Sequence, residues 1–141
     1  MSMDILAWDT NATIQSIGFG FRMFNELASG QGYLTEFITG DTGRRSSLSF
    51  WKLTGTFRKT YFDLDPQKPV RLVLTAVGRD LKLALYYVEK PHEPVAVPGA
   101  TVAVTDASFS QGSVGLWAWS GSEYSSYEVT VDNFMVSGTR P

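Results

Sequence analysis

Apolar residues alternate with polar or small residues along most of the chain, and the alternating segments end in turn residues. The clearest case is residues 70–88, where Gly78-Arg79-Asp80 separates two runs in which every second residue is leucine or alanine. Alternation with a period of two places such residues on one face of a β-strand. This segment therefore predicts a β-hairpin whose leucine face lies in the core.

Other segments between turns are predicted to be strands as well. They span residues 14–24, 33–38, 47–53, 56–62, 100–105, 114–119 and 127–136. Residues 89–99 hold three of the six prolines and predict an irregular connection, while residues 106–112 predict one helical turn with Asp106 as its N-cap. With about nine to ten strands and no helix of ordinary length, the pattern is typical of an all-β, antiparallel two-sheet sandwich of the jelly-roll type.

The alternation also assigns the residues of the last two strands to faces. The residues predicted to lie in the core are Val114, Leu116, Val129, Val131 and Phe134. Trp117 and Trp119 then point away from that core, and Trp51 points away from the face shared by Leu48 and Phe50. Two uncovered tryptophans are unusual on a free surface, so this pair is predicted to line a ligand groove or an interface. Burial of both in the core stays open as the alternative.

Composition narrows the classes of function. The 141 residues suit one domain, predicted to span residues 1–141, with a single core. A net charge of −2 provides no broad attraction for nucleic acid or for an anionic membrane, so neither partner is predicted. The absence of cysteine excludes disulfides and thiolate chemistry. No signal peptide is predicted in this chain, and an extracellular or periplasmic location is expected only if it is part of a longer protein.

Four stretches carry a family resemblance through their order along the chain. They are FGFRMF at 19–24, GYLTEFI at 32–38, PVRLVLTAVGRDLKLALYY at 69–87, and SFSQGSVGLWAW followed by VTVDNFMV within 108–136. In this order they resemble the concanavalin A-like lectin/glucanase superfamily, in the laminin-G-like form of bacterial carbohydrate-active proteins. The resemblance implies a jelly roll with a concave face that binds glycans in many members. Because members begin with additional strands, it also implies that two or three N-terminal strands are absent here. Either the sandwich is a trimmed variant, or a second copy or further sequence completes an open sheet edge.

Aromatic side chains in this setting indicate carbohydrate binding, because an aromatic plane stacks on the apolar face of a pyranose ring. The predicted ligand-binding residues are Trp117, Trp119, Tyr124 and Trp51, assisted by Glu36, Asp41 and Arg45. The predicted function is therefore non-catalytic, lectin-like binding of an oligosaccharide or polysaccharide. A self-association module that forms a homodimer or larger homo-oligomer through the open edge is the first alternative.

A glycoside hydrolase is the second alternative. Glucanases of this superfamily place paired carboxylates on alternate residues of one strand, and the chain has no such run. Hydrolysis would need two of the four carboxylates Glu36, Asp41, Glu123 and Glu128 in one groove. No catalytic residue is therefore predicted.

No cofactor is predicted either, with calcium as the alternative. The Asp-Asn pair inside VDNF at 131–134 predicts a β-bulge or a side chain tied to a neighbouring segment. Asp132 together with Asp9 or Asp41 could supply some of the oxygens that calcium needs, although no spaced Asp-x-Asp loop supports this. His92, the single histidine, is predicted to lie in a solvated loop.

Overall fold

The alternating segments form ten β-strands, and all neighbouring strands pair antiparallel. The structure, a computed structural model, describes residues 1–8, 15–24, 31–41, 45–52, 55–89, 93–120 and 128–138. The strands are β1 (Ser2–Trp8), β2 (Gln15–Met23), β3 (Tyr33–Asp41), β4 (Arg45–Lys52), β5 (Gly55–Phe62), β6 (Val70–Val77), β7 (Asp80–Tyr87), β8 (Val95–Thr105), β9 (Ser113–Ser120) and β10 (Val129–Met135). None of these described residues belongs to a helix of the length and apolarity needed to cross a membrane.

The strands divide into two five-stranded sheets. Sheet A has the order β10-β1-β6-β7-β8, and sheet B has the order β5-β4-β3-β2-β9. The prediction of an all-β antiparallel sandwich is therefore confirmed. The first and last strands pair with each other in sheet A, and β2 pairs with β9 in sheet B. β1 lies between β6 and β10, so one strand precedes the first strand predicted from the sequence.

The core lies between the inner faces of the two sheets. Sheet A contributes the predicted leucine face of the β6–β7 hairpin, of which Leu72, Leu83 and Leu85 are almost completely buried. Sheet B contributes mainly aromatic rings, among them the stacked pair of Phe21 and Tyr33 with ring centroids 5.0 Å apart. An aliphatic layer thus packs against an aromatic layer, and most of the phenylalanine content fills the core.

The two sides of the sandwich are closed to different extents. On one side β8 packs against β5 and buries Val97, Ala100 and Phe62. On the other side, β9 and β10 are the outer strands of opposite sheets, and their inner-face residues remain exposed. We call these residues, Val114, Leu116, Val131 and Phe134, the open side.

The prediction that these four residues lie in the core is wrong. Val114 and Phe134 keep 44% and 43% of their surface exposed, and Phe134 stacks on Phe19 with ring centroids 6.2 Å apart. Val129 is partly buried against the core. Alternation gives the face on which a side chain lies, but burial also requires that the opposite sheet extend over it.

Two connections also differ from the sequence prediction. β8 begins at Val95, inside the segment predicted to be irregular. Pro98 is accommodated because β8 is an outer strand and its register with β7 shifts between Ala84 and Tyr86. Residues 106–112 form no helical turn, although the Asp106 carboxylate accepts the Ser108 amide N–H at 2.9 Å, as an N-cap would.

Asp106 joins the end of β8 to sheet B. Its carboxylate accepts the Tyr33 hydroxyl and the Lys52 ammonium, the latter at 2.6 Å. Burial alone would raise the pKa of Asp106, but the hydrogen bonds from Lys52, Tyr33 and Ser108 outweigh it and hold that pKa well below its ordinary value.

The predicted bulge in VDNF is present in β10. Asn133 has a positive φ of 50°, and the pairing with β1 shifts between Ser2 and Asp4. The Asn133 amide donates to Asp4 at 2.9 Å, and Arg71 donates two hydrogen bonds to the same carboxylate at 2.6 and 2.9 Å. The side chain is therefore tied to a strand rather than to a loop, and the hydrogen bond from Arg71 lowers the pKa of Asp4.

In the described ranges, no cluster of potential metal ligands supports the calcium alternative. Asp132 accepts the amide N–H of its neighbour Asn133 at 2.7 Å. The residues that the structure describes contain no group of three or more potential metal ligands. Asp9 and His92 lie outside the described residues.

Candidate functional site

The outer face of sheet B carries large aromatic residues around a floor of small ones. Strand register places Trp117 of β9 opposite Gly18 of β2, and Trp119 opposite Ser16. Trp51 extends from the same face of β4 as Ser49. The floor consists of Ser16, Gly18, Gly20, Ser47 and Ser49. Three of the four predicted aromatic residues therefore share one face.

Glu36 lies at the centre of this face, on the middle strand of sheet B. Only 5% of its surface is exposed. The Ser16 hydroxyl donates to one carboxylate oxygen at 3.2 Å, and the Ser49 hydroxyl donates to the other at 3.0 Å. Burial raises the pKa of Glu36, and these hydrogen bonds and the more distant charge of Lys59 oppose that shift only in part.

Trp117 reaches from β9 across β2 to β3. Its indole N–H donates to the backbone carbonyl of Thr35 at 2.8 Å. That carbonyl is turned towards β2, where a Cβ atom added to Gly18 would lie 1.9 Å from its oxygen. The Thr35 hydroxyl accepts the Phe19 amide N–H at 2.9 Å. Position 18 therefore has to be glycine, because a side chain there would collide with the Thr35 carbonyl and would obstruct the Trp117 indole where it crosses β2.

Trp51 approaches Glu36 from the opposite side. Its indole N–H donates to the Ser49 hydroxyl at 3.2 Å, and this hydroxyl donates to Glu36. Trp119 lies along β9 from Trp117 and is 53% exposed. Because the N–H groups of Trp51 and Trp117 bond to the protein, these side chains offer a ligand mainly their ring faces.

Arg45 lies apart from this group. It donates to the Tyr61 carbonyl at 3.3 Å and pairs with Asp63 at 3.4 Å, near the end of β4. Four residues separate it from Ser49 on the same strand, a distance of about 13 Å. The structure therefore does not bring Arg45 beside Glu36.

Among the predicted carboxylates whose side chains the structure describes, no second one lies beside Glu36. Tyr124 and Glu123 lie outside the described residues, as does the side chain of Asp41. The Cα atom of Asp41 is five residues along β3 from Glu36, or roughly 16 Å, which exceeds the separation of about 5–9.5 Å used by glycosidases. Glu128 precedes β10, which belongs to the other sheet.

Sequence reasoning missed the serine floor and Tyr61. Tyr61 of β5 pairs with Ser47, is 41% exposed, and has the Lys59 ammonium 5.5 Å from its ring centroid. The segment SSLSFWK already indicates that Ser47, Ser49 and Trp51 share a face. The register that places β2 and β5 beside this face is not encoded in any local pattern.

Comparison with protein-family models, curated proteins and solved structures gives no match for this chain. The resemblance to concanavalin A-like domains therefore remains a prediction from the sequence.

Proposed function

We propose that this chain is a non-catalytic carbohydrate-binding module with a jelly-roll, concanavalin A-like architecture, and that it binds a glycan on the outer face of sheet B. The observation that carries the proposal is the grouping of Trp51, Trp117 and Trp119 around the buried carboxylate of Glu36. Sugar-binding sites combine ring faces, which desolvate the C–H surface of a pyranose, with a few polar groups that orient its hydroxyls.

The dimensions of the face suit one glycan chain. β9 and β4 are three strands apart in sheet B, so their backbones are separated by roughly 14 Å. The floor residues between them are small, and Ser16, Ser47 and Ser49 are buried beneath the larger side chains of this face. Trp119 is the most exposed of the three tryptophans, and we expect it to contribute most of the stacking area.

The strand order supports the jelly-roll part of the proposal. A jelly roll folds a long antiparallel ribbon in which early strands pair with late ones. The pairing of β1 with β10 and of β2 with β9 is of this kind.

Affinity electrophoresis against a panel of polysaccharides tests the proposal. We expect at least one polysaccharide to retard the protein, and Trp119→Ala to weaken that binding about tenfold, equivalent to about 1.4 kcal/mol. Tyr86→Ala is the control, because Tyr86 is a half-buried aromatic residue on the outer face of sheet A. Equal binding by Trp119→Ala, Trp51→Ala and the control would reject the site, and no binding by the wild type would reject the function.

Self-association is the second candidate, favoured by the open side. Apolar inner-face residues with this much exposure are found where another chain covers them. β9 contains no charged residue and no proline, and β2 is its one hydrogen-bonded neighbour in the described part of the chain. An uncharged outer strand of this kind can pair with a second copy.

Sedimentation velocity over a dilution series tests this candidate. A dimer formed through the open side should dissociate on dilution, and Val114→Glu should shift the equilibrium to monomer. Val77→Glu is the matched control, because Val77 is exposed at the far end of β6. A monomer at all concentrations rejects self-association.

A further inference from the structure

We propose that the face around Glu36 selects uncharged glycans, and that Glu36 is the residue that rejects glycans carrying carboxylate or sulfate groups. This inference rests on the proposed function and adds the chemical class of the ligand. It starts from the difference between Glu36 and the other buried carboxylates of the protein.

Asp4 and Asp106 are each neutralised by a cation in direct contact. Arg71 donates two hydrogen bonds to Asp4, and the Lys52 ammonium lies 2.6 Å from Asp106. Within the described part of the chain, the hydrogen-bond donors to Glu36 are instead uncharged, namely the hydroxyls of Ser16 and Ser49 and the indole of Trp51. When Glu36 is ionised, its negative charge therefore acts on whatever lies above the sheet.

The charge of Lys59 acts on Glu36 but lowers its pKa less than burial raises it. Lys59 is on β5, two strands from Glu36, or roughly 10 Å between backbones. Its ammonium lies near the ring of Tyr61, at the outer strand of the sheet. The two cations of β4 have partners elsewhere: Arg45 pairs with Asp63, and Lys52 pairs with Asp106.

The size of the effect follows from Coulomb's law. We consider a carboxylate or sulfate on a glycan placed about 6 Å from Glu36, a little more than one strand spacing. At an effective dielectric constant of about 20, repulsion at this distance weakens binding roughly a hundredfold. Salt screens part of it, so we expect at least a tenfold difference in ordinary buffer. A neutral glycan avoids the repulsion.

The test compares uncharged and charged polymers with related backbones. Hydroxyethyl cellulose is paired with carboxymethyl cellulose, and agarose is paired with κ-carrageenan. We expect the wild type to bind an uncharged polymer at least tenfold more tightly than its charged counterpart. Glu36→Gln keeps the shape and should bring the affinities for the charged and the uncharged polymer about tenfold closer together. Glu128→Gln makes the same change in net charge at an exposed site before β10 and should change neither.

Acidification provides a second readout that needs no variant. Because burial raises the pKa of Glu36, its carboxylate takes up a proton at a higher pH than an ordinary glutamate. The discrimination against κ-carrageenan, whose sulfate groups stay ionised, should therefore decrease as the pH falls. The side chains that face Glu36 are Ser16 from β2, Ser49 and Trp51 from β4, Trp117 from β9 and Lys59 from β5. Of these side chains, Lys59 is the charged one.

The outcomes separate this inference from the proposed function. If the wild type binds charged and uncharged polymers equally, or if Glu36→Gln and low pH leave their ratio unchanged, the inference is rejected and carbohydrate binding stands. If no polymer binds to the wild type or to Glu36→Gln, the proposed function is rejected, and the inference with it.

Discussion

Replacing Gly18 with alanine should destabilise the protein strongly, because the new methyl group has no space. A Cβ atom at this position would lie 1.9 Å from the carbonyl oxygen of Thr35, whereas real Cβ atoms stay beyond 3.0 Å. Both atoms belong to hydrogen-bonded central strands of sheet B, so the backbones of β2 and β3 would have to separate. The same carbonyl accepts the indole N–H of Trp117, and that hydrogen bond would be strained too.

The expected cost combines three effects. Overpacking of this kind costs about 1–3 kcal/mol, and weakening of the Trp117 hydrogen bond adds about 1 kcal/mol. The smaller entropy of the unfolded chain with alanine offsets about 0.4–1 kcal/mol. The free energy of unfolding should therefore fall by about 1–3.5 kcal/mol. With a urea dependence of about 2 kcal/mol/M, the midpoint should move down by about 0.5–1.8 M.

Gly115→Ala is the matched control. Gly115 lies on the neighbouring β9, opposite Gly20, and a Cβ atom built there has no atom within 4 Å. Its unfolding midpoint should stay within about 0.3 M of the wild type. Urea unfolding monitored by far-UV circular dichroism measures both variants. If Gly18→Ala and Gly115→Ala unfold at the same urea concentration, the close approach at Gly18 is not a constraint and the placement of Trp117 is wrong.

Three further substitutions test other parts of the structure. Asp106→Asn should cost about 2 kcal/mol at neutral pH by removing the charged partner of Lys52. Since the folded protein holds the pKa of Asp106 well below its ordinary value, this stabilisation is complete above about pH 5 and is lost progressively on acidification, so the difference between the wild type and the variant in urea melts should shrink between about pH 5 and pH 2. Asn133→Ala should unfold about 1 kcal/mol more easily than Asn133→Gly, because alanine is strained at a φ of 50°, and equal stabilities would contradict the bulge. Leu116→Ala should lower the free energy of unfolding by less than about 1 kcal/mol, whereas Phe19→Ala should lower it by about 3–5 kcal/mol. Thermal melts measure both variants, and a large loss for Leu116→Ala would mean that the open side is covered.

Sequence alternation predicted the faces of strands well, because the period of two is a property of each strand alone. It placed Leu72 and Leu83 in the core and Trp117 on the outer face, as the structure does. It could not predict how far one sheet extends over the other, since that depends on which strands become the outer ones. Val114 was assigned to the core for this reason and is exposed.

The sequence predicts which residues form the candidate site, but not how they are arranged across the strands. Trp51, Trp117 and Glu36 come from three different strands, and local patterns do not reveal that β3 lies between β2 and β4. The burial of Glu36 depends on the same register, as do its bonds to Ser16 and Ser49. Arg45 was grouped with them because of its charge, but its place near the end of β4 pairs it with Asp63 instead.

The pairing of early strands with late strands also has a consequence for folding during synthesis. β1 pairs with β10 through Ser2 and Met135, and β2 pairs with β9 through Gln15 and Ser120. Contacts over such long stretches of chain slow folding to milliseconds or seconds, because the loop must close before the contact forms. At translation rates of about 5–20 residues per second, β1 and β2 each remain without one neighbour for several seconds after they leave the ribosome. A nascent chain that stalls after β8 would present both unpaired strand edges at once, and such edges are sites of aggregation.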